Sequence, residues 1–181
     1  MPGATAVRIA DAALDVLGTG GIHALSHARV DAVAGLPAGS ASNHFRTRAA
    51  LVSGAVARLR ELDAVALRVL LDAHPPADRD ELAGVFAAFV ADATGPSRVR
   101  TAARFVIFVQ GVAEPSLLAE LNEDRGLIVD WTAAVLGSLR VPGERQLAET
   151  LLATVEGLIM HRLTGFAADP VAPRLRRLLA G

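Results

Sequence analysis

The stretch from Ser26 to Leu51 constrains the fold of this chain more than any other segment. It predicts two short helices, a tight turn between them at Gly35-Leu36-Pro37, and the start of a third helix. Glycine lets the backbone reverse direction, and proline is pre-set for the first turn of a helix. The helix after the turn, about residues 38–44, is small and polar, so it has too little apolar surface for a core helix. This pattern is typical of a helix-turn-helix, whose second helix enters the major groove of DNA.

Three parts of this region carry a resemblance to a known family. They read G-I-H-A-L-S, V-D-A-V-A-G-L-P-A-G-S and N-H-F-R-T-R-A-A-L, and they resemble the TetR-type (TetR/AcrR) helix-turn-helix transcriptional repressors. The resemblance spans about residues 6–56. It implies an all-α protein with an amino-terminal three-helix DNA-binding domain, residues 1–46, and a helical effector-binding and dimerisation domain, residues 47–181.

Some positions depart from the pattern that is usual in that family. Ser42 stands where a Tyr is usual, Pro37 where a capping Ser is usual, and Asp31 where a small Ala is usual. The next helix opens with Arg-Thr-Arg-Ala rather than with Lys and Glu. The reading face is therefore bare, and we expect base specificity to depend on Asn43, Ser40 and the shape of the DNA.

The family's pattern, carried over position by position, assigns the DNA contacts. Short side chains on the exposed face of the third helix read bases, while arginines, hydroxyls and helix amino termini hold phosphates. The base-facing candidates are Ala38, Gly39, Ser40, Ser42 and Asn43. The phosphate-facing candidates are Ser26, His27, His44, Thr47 and Arg48, with Arg29 able to reach a guanine or the backbone. The alternative for each residue alone is an ordinary exposed polar side chain.

The charge of the chain is unevenly distributed. Through residue 60 there are six Arg against three acidic residues, giving +3, whereas the remainder carries twelve Arg against sixteen acidic residues, giving −4. A basic amino-terminal part suits a protein with one nucleic-acid face, although ordinary scatter of charge is the alternative. The chain has no Cys, which excludes disulfides and thiolate metal sites and fits the reducing cytosol.

Apolar residues at helical spacing, separated by proline and glycine, predict helices along the whole chain, whereas no period-2 strand pattern occurs. The second helix is expected to bury Val30 and Val33. We therefore predict an all-α fold of about nine helices. They lie at about residues 5–17, 27–34, 38–44, 48–73, 78–93, 97–113, 116–139, 144–166 and 171–180.

Local signals predict where several of these helices begin and end. Ser26 and Thr47 are expected to cap the second and fourth helices. Asp78-x-x-Glu81 resembles a capping box at the start of the fifth. The glycine-rich segment at residues 18–21 is expected to end the first helix.

One side of the predicted helix at 144–166 is apolar. The family resemblance implies a homodimer through a four-helix bundle that uses this helix and either the ninth or the seventh. The expected interface residues are Leu147, Leu151, Val155, Leu158 and Ile159. An internal core helix explains the same pattern equally well. Dimerisation also has a physical basis, because two-fold symmetry doubles the contacts across half-sites about 34–36 Å apart.

The family resemblance further implies a small-molecule pocket among the carboxy-terminal helices. The candidate lining residues are Phe86, Phe89, Phe105, Phe108, Gln110, Trp131, Glu156 and Met160. Aromatic residues at helical spacing are more often plain core than pocket wall, so the core remains the alternative. An apolar or amphipathic effector is the default expectation.

Other classes of protein find little support in the sequence. There is no Gly-x-Ser-x-Gly elbow, no Cys nucleophile and no phosphate-binding loop, and His23 with His27 does not make a metal site. We expect no cofactor, no membrane segment and a cytoplasmic location. The prediction is a non-enzymatic repressor that binds a palindromic operator and is released by a small molecule. The alternative is a helical small-molecule-binding or protein-interaction module without specific DNA binding, with an enzyme third.

Overall fold

The structure, a computed structural model, describes residues 3–166 and 170–180. Those residues form nine α-helices and two 3₁₀ turns, at Ile22–Ala24 and Pro115–Leu117, and contain no strand. The all-α prediction is therefore confirmed. The helices are α1 Ala4–Gly20, α2 His27–Ala34, α3 Ser40–His44, α4 Arg48–Asp72, α5 Arg79–Thr94, α6 Arg98–Ala113, α7 Ala119–Ser138, α8 Glu144–Leu163 and α9 Val171–Ala180.

The helices group into two compact units. The first unit contains the described residues up to Val65 together with Val99–Asn122, and the second contains Ala66–Arg98 together with the described residues from Glu123 onward. The first unit thus includes the helix-turn-helix, the amino-terminal part of α4 and almost all of α6. The boundaries of these compact units therefore differ from the functional boundary that we predict between residues 46 and 47.

The core of the first unit is built from the apolar stripes of α1, α4 and α6. Ile9, Leu17, Leu51, Leu59 and Ile107 have no exposed surface. Full burial of one such side chain contributes about 1.5–3 kcal/mol. The apolar residues of α1 thus share one core with buried residues of α2, α3 and α4.

Helix α1 ends within the glycine-rich segment at residues 18–21, as predicted, but it continues to Gly20 rather than stopping at residue 17. Gly21 follows as its C-cap, and the φ of +73° at Gly21 lies in the left-handed region. Gly18 serves a close approach, because a Cβ built on it would lie 2.1 Å from the backbone oxygen of Val99 in α6. A glycine inside a helix is therefore explained here by packing rather than by termination.

Helix α2 buries a different face from the one predicted. Val30 is fully buried, but the side chain of Val33 is 50% exposed, and Asp31 is buried at 3% exposure. The buried positions Val30, Asp31 and Ala34 follow the 3–4 spacing of one helix face, and Val33 lies outside it. The expectation that Val33 is buried is wrong, because a carboxylate takes the core-facing position beside it.

The second unit is organised around α5, α8 and α9. The predicted capping box is confirmed: Asp78 Oδ1 accepts the N–H of Glu81 at 2.8 Å, and Glu81 Oε2 accepts the N–H of Ala77 at 2.8 Å. Arg79 Nη1 donates to the carbonyl of Leu179 at 2.9 Å, which joins the start of α5 to the end of α9.

Two helices of the later chain differ from the prediction at their ends. Helix α7 begins at Ala119, after the 3₁₀ turn at Pro115–Leu117, rather than at residue 116. Leu118 packs against Gly111 of α6 there, since a Cβ on Gly111 would lie 2.3 Å from the Leu118 side chain. Helix α8 ends at Leu163 rather than at residue 166, and Gly165 follows with a φ of +75°.

Candidate nucleic-acid interface

The turn of the helix-turn-helix begins where α2 ends in a left-handed glycine. Gly35 has φ 60° and ψ 40°, and the backbone oxygen of Asp31 accepts the N–H of Leu36 at 2.9 Å. Gly39 is also left-handed, with φ +90°, so α3 starts at Ser40, two residues later than predicted. Ala38 and Gly39 consequently lie in the turn rather than on the helix.

Helix α3 takes its amino-terminal cap from α2. Gly39 has no side chain to cap with, and no side chain at the N-cap position bonds the helix. The carboxylate of Asp31 accepts instead from the N–H of Gly39 at 2.8 Å and from the N–H of Ala41 at 2.7 Å. In the sequence Asp31 stands out as a departure from the family pattern, and this capping role was not predicted.

The base-facing candidates on α3 differ in how free their polar groups are. Ser40 Oγ donates to the carbonyl of Pro37 at 2.6 Å, and Ser42 Oγ donates to the carbonyl of Gly39 at 2.9 Å. Both hydroxyl hydrogens are thus used inside the turn, although each oxygen can still accept. Asn43 is exposed, whereas Ala41 on the opposite side is completely buried.

Two phosphate-facing candidates are helix caps, as predicted. Ser26 Oγ accepts the N–H of Arg29 at 3.3 Å, and Thr47 Oγ1 accepts the N–H of Ala50 at 3.0 Å. Both residues are exposed, so each sits at the surface beside the positive end of its helix. His44 and Arg29 are exposed as well.

His27 and Arg48 make contacts inside the motif that the sequence did not indicate. The Nε2–H of His27 donates to the carbonyl of Phe45 at 2.6 Å, because a carbonyl can only accept. Arg48 Nε donates to the carbonyl of Leu25 at 3.3 Å, and its Nη2 donates to the carbonyl of Ile22. Arg48 therefore ties the start of α4 to the 3₁₀ turn, and His27 ties the start of α2 to the end of α3.

Further contacts join this motif to the helices around it. Arg8 Nη2 on α1 donates to the carbonyl of Gly35 at 3.3 Å. The ring of Phe45 packs so closely on α4 that a Cβ on Gly54 would lie 2.3 Å from it. Neither Arg8 nor Gly54 was singled out in the sequence. The Arg8 contact depends on how α1 packs beside the turn after α2, and the Gly54 contact depends on how Phe45 folds back onto α4.

Ion pairs tie α4 to its neighbours within the first unit. Arg58 Nε donates to Asp11 on α1 at 2.6 Å, and its Nη1 donates to Glu61 at 3.0 Å. The hydrogen bond to Asp11 is the largest cause that raises the pKa of Arg58, with Glu61 adding to it. Arg104 Nη2 on α6 donates to Asp63 on α4 at 2.5 Å. Helices α1, α4 and α6 are thus joined by charge as well as by apolar packing.

The candidate effector residues divide between the two units. In the first, the rings of Phe105 and Phe108 meet edge-to-face with centroids 6.3 Å apart. Gln110 in the same unit donates to Glu114 at 2.9 Å. All three candidates are partly buried.

The remaining candidates lie in the second unit. Phe86 is buried and meets Trp131 edge-to-face at 6.5 Å. Glu156 accepts from Arg125 Nη2 at 2.8 Å, which joins α8 to α7. Met160 is partly buried, and Phe89 is 47% exposed.

A cavity of about 450 Å³ lies elsewhere in the second unit. The start of α5, the turn before α8, the first turns of α8 and the end of α9 line it, with Arg79, Gln146 and Thr150 among the polar groups. None of the eight candidate effector residues lines this cavity. Leu147, predicted for the dimer interface, does.

The residues predicted for the dimer interface lie mostly in the core of this chain. Leu151 and Val155 have no exposed surface, and Leu158 and Ile159 are 8% and 3% exposed. Side chains without exposed surface cannot contact a second copy, so the interface through this apolar face needs correction. Helix α8 buries that face while packing with α5 and α9. The surface left for a partner carries Thr150, Ala153, Gly157 and His161.

Fold and site together define a helix-turn-helix transcriptional regulator with a helical carboxy-terminal part. That part, residues 77–181, matches the family described as tetracyclin repressor-like, C-terminal domain. The chain belongs to the TetR family of transcriptional regulators. Regulators of this family bind DNA and small-molecule ligands, and they are not enzymes.

Solved structures extend the similarity over the whole chain. A transcriptional regulator from Rhodococcus sp. RHA1 is 24% identical with a TM-score of 0.78, covering 97% of this chain and 94% of that one, which supports the fold. A TetR family member from Streptomyces coelicolor A3 is 27% identical with a TM-score of 0.69, covering 98% and 97%. The multidrug binding protein EbrR, complexed with ethidium, is 26% identical with a TM-score of 0.70, covering 97% and 96%. No curated protein matches the sequence.

Membrane-spanning helices and metal sites are both absent from the described residues. Within residues 3–166 and 170–180, no helix is long and apolar enough to cross a membrane. The same described residues contain no group of three or more His, Cys, Asp or Glu arranged to hold a metal ion.

Proposed function

We propose that this chain is a ligand-responsive repressor that binds a palindromic operator as a homodimer and leaves it when a small molecule binds. The observation that carries the DNA-binding part is the presentation of α3, a short polar helix with Asn43 and His44 exposed and its backbone bonded at both ends. We assign DNA binding to residues 1–46 and effector binding and dimerisation to residues 47–181.

Asn43 is the base-reading residue of this proposal. Its exposed amide has both donors and an acceptor, which is the arrangement that pairs with the major-groove edge of adenine. Ser40 and Ser42 add hydroxyl oxygens that accept hydrogen bonds from base amino groups. Ala38 and Gly39 offer only a methyl group and a backbone that DNA can approach closely.

Phosphates are held by the exposed groups that surround α3. The amino termini of α2 and α4, capped by Ser26 and Thr47, offer the partial positive charge that favours an anion. His44 and Arg46 lie exposed at the end of α3 and add direct contacts. Arg29 on α2 reaches a guanine or the backbone. Arg48 contributes a positive charge at the same end while it holds the 3₁₀ turn in place.

A homodimer follows from the small size of the reading surface. One five-residue helix makes few base contacts, whereas a two-fold axis doubles them across two half-sites. The exposed face of α8 supports this assembly, because Ala153 and Gly157 let a second helix approach closely. Either α9 or α7 completes the bundle.

The effector is a small apolar or amphipathic molecule bound by the carboxy-terminal helices. The edge-to-face pair of Phe86 and Trp131 supports an aromatic contact, and Glu156 with Arg125 supplies polar groups beside the apolar ones. The EbrR complex with ethidium supports the same class of ligand. Binding favours a separation of the two recognition helices that no longer matches the half-sites.

Operator selection from a random DNA library, followed by a ligand screen on the selected complex, tests this proposal. Fluorescence anisotropy should show tight binding to a palindrome and a steep loss of affinity as salt rises. An effector should release the DNA at a concentration that leaves the protein folded. The absence of any retained DNA at low salt, from the library or from the DNA upstream of the coding sequence, would indicate a helical binding module instead.

A further inference from the structure

The carboxylate of Asp31 is a buried charge that the proposed DNA contacts do not use. It is 3% exposed, and its place on α2 faces the core beneath the turn. Burying a carboxylate costs several kcal/mol unless hydrogen bonds compensate for the lost water. The bonds that do so here come from the backbone N–H groups of Gly39 and Ala41 at 2.8 and 2.7 Å. Both hydrogen bonds observed for this side chain therefore come from the start of α3.

Helix α3 depends on such outside support. It has five residues, and an isolated helix of that length does not form in water. Its first N–H groups have no partner within the helix, and Gly39, with φ +90°, offers no side chain to satisfy them. A carboxylate bonded to these N–H groups also compensates the positive end of the helix, and such charge-assisted bonds are stronger than neutral ones.

The other end of α3 is held from the same face of α2. His27 precedes Asp31 by four residues, and side chains at that spacing lie on one face of a helix. The Nε2–H of His27 donates at 2.6 Å to the carbonyl of Phe45, the residue that caps the carboxy-terminal end of α3. One face of α2 thus bonds α3 at its first turn through Asp31 and at its last turn through His27.

We infer that His27 and Asp31 form a clamp on α2 that sets the position of the recognition helix, so that Asp31 determines base specificity without touching DNA. This inference rests on the proposed function of α3. Asp31 is a positioning residue, because a side chain with so little exposed surface cannot reach a base. Loss of the clamp frees α3 to shift on α2, and a shift of a fraction of a hydrogen-bond length removes the bidentate geometry that Asn43 needs.

The test uses the full chain with Asp31→Ala and Asp31→Asn. Alanine removes both hydrogen bonds, whereas asparagine keeps one acceptor and places an NH₂ group against the other backbone N–H. The matched control is Val56→Ala, which removes two methyl groups from the same core, on α4, and leaves the side chains of His27 and Asp31 in place. All comparisons are made at temperatures at which circular dichroism shows each variant to be folded.

The first measurement is discrimination, the ratio of affinities for the selected operator and for operators with single base changes. We expect both Asp31 variants to lose about tenfold or more of this ratio at the base read by Asn43, because one good bidentate pair supplies that much. Binding to unrelated DNA and its salt slope should stay unchanged, since the phosphate contacts remain. Val56→Ala should keep the wild-type ratio even where it lowers the melting temperature as much.

The second measurement is hydrogen exchange of the Gly39 and Ala41 amides, which needs no DNA. Protection of these two amides should fall in both Asp31 variants and persist in Val56→Ala. Folded Asp31 variants that discriminate as well as wild type would overturn the clamp. If Asp31→Ala does not fold, Asp31→Asn decides by the same two readouts. Failure of the wild-type chain itself to bind any DNA would count against the proposed function and would leave the exchange result to judge the clamp.

Discussion

Helices α3 and α8 are held in place by opposite means. Helix α3 has five residues, buries one small side chain at Ala41, and is fixed by hydrogen bonds from Asp31 and His27. Helix α8 has twenty residues and buries six, so apolar packing is its main support, with the ion pair between Glu156 and Arg125 added. A helix fixed by a few polar bonds presents its other faces to a ligand but changes position when one bond is lost. A helix fixed by packing tolerates surface changes and responds to cavities.

The largest effect in this comparison is expected from Leu151→Ala in α8. Leu151 has no exposed surface, and truncating a fully buried leucine costs about 2–5 kcal/mol through lost burial and the cavity left behind. Urea unfolding followed by circular dichroism measures this loss. Thr150→Ala, on the exposed side of the same turn, is the control and should change the free energy of unfolding little.

Protein concentration separates a core role of Leu151 from an interface role. If this side chain packs only inside its own chain, the loss caused by Leu151→Ala should not depend on protein concentration beyond the dependence of the wild type. A loss that vanishes at high protein concentration would mean that Leu151 contacts a second copy and would reverse our correction of the interface.

The second-largest effect is expected from Gly54→Ala, which affects the segment that connects α3 to α4. Gly54→Ala places a Cβ 2.3 Å from the present position of the Phe45 ring, so the ring must move. Overpacking of this kind costs about 1–3 kcal/mol. Because the carbonyl of Phe45 accepts the bond from His27, we also expect weaker DNA binding. Thermal unfolding and anisotropy on the selected operator measure the two losses.

A smaller side chain at position 45 provides the control for this clash between Gly54→Ala and the Phe45 ring. Phe45→Leu combined with Gly54→Ala should recover part of the stability that Gly54→Ala loses, because the ring atoms that clash are gone. Equal stability of Gly54→Ala and wild type would show that the Phe45 ring can rotate away at no cost.

Asn43→Ala and Arg46→Ala test the division of labour around α3. Asn43→Ala should lose about 1–3 kcal/mol of discrimination at one base position, with little change in the free energy of unfolding. Arg46→Ala should weaken binding to all sequences alike and lower the salt slope by about 1. Uniform weakening by both variants would remove the assignment of Asn43 to base reading.

Arg48→Ala should differ from Arg46→Ala because of the bonds that Arg48 makes inside the motif. Removing its donors leaves the carbonyls of Leu25 and Ile22 without them, which we expect to cost about 1 kcal/mol of folding stability. Differential scanning calorimetry compares the two variants directly. Identical melting temperatures would show that Arg48 serves only as a charge facing DNA.

How much of this was predictable differs between the two helices for a physical reason. The polar composition of residues 38–44 excluded a core helix, and the caps at Ser26, Thr47 and Asp78 were predictable because capping depends on neighbours within four residues. The apolar stripe of α8 indicated only that this face of the helix is buried against another surface. Whether a neighbouring helix or a second copy does so depends on contacts distant in sequence, which is why the sequence left both alternatives open.

The missed residues share the same cause. Asp31, Arg8 and Gly18 act on groups eight or more residues away, through helix crossings that periodicity does not describe. Asp31 was visible as an acidic residue in an otherwise apolar turn of α2. An acidic residue at a core-facing position, just before a turn, can cap the next helix when that helix has no capping side chain of its own. This pattern can be recognised in a sequence.

The smallest effect is expected at Asp15 on α1, where charge rather than packing is changed. Burial, and then the negative charge of Asp11, raise the pKa of Asp15 above its ordinary value of 3.8. The folded state therefore prefers the protonated form, and stability is lost as the pH rises from the ordinary value through the raised one. Asp15→Asn removes this loss. Because the residue is largely exposed, we expect a gain of at most about 0.5 kcal/mol at pH 7 and none at pH 3.

Asp11→Asn is the matched control for Asp15, because it removes the same charge from the same helix with the opposite expected sign. Asp11 accepts from Arg58 at 2.6 Å, so its replacement should lower the free energy of unfolding at pH 7 by up to about 1 kcal/mol. Both variants remove one negative charge from α1, so a difference between them reflects the local contacts and not the net charge. A gain for both variants would mean that relief of the Asp11–Asp15 repulsion outweighs the ion pair with Arg58. In that case the repulsion between acidic residues on α1 would affect the stability of the first unit more than the ion pair between Asp11 and Arg58 does.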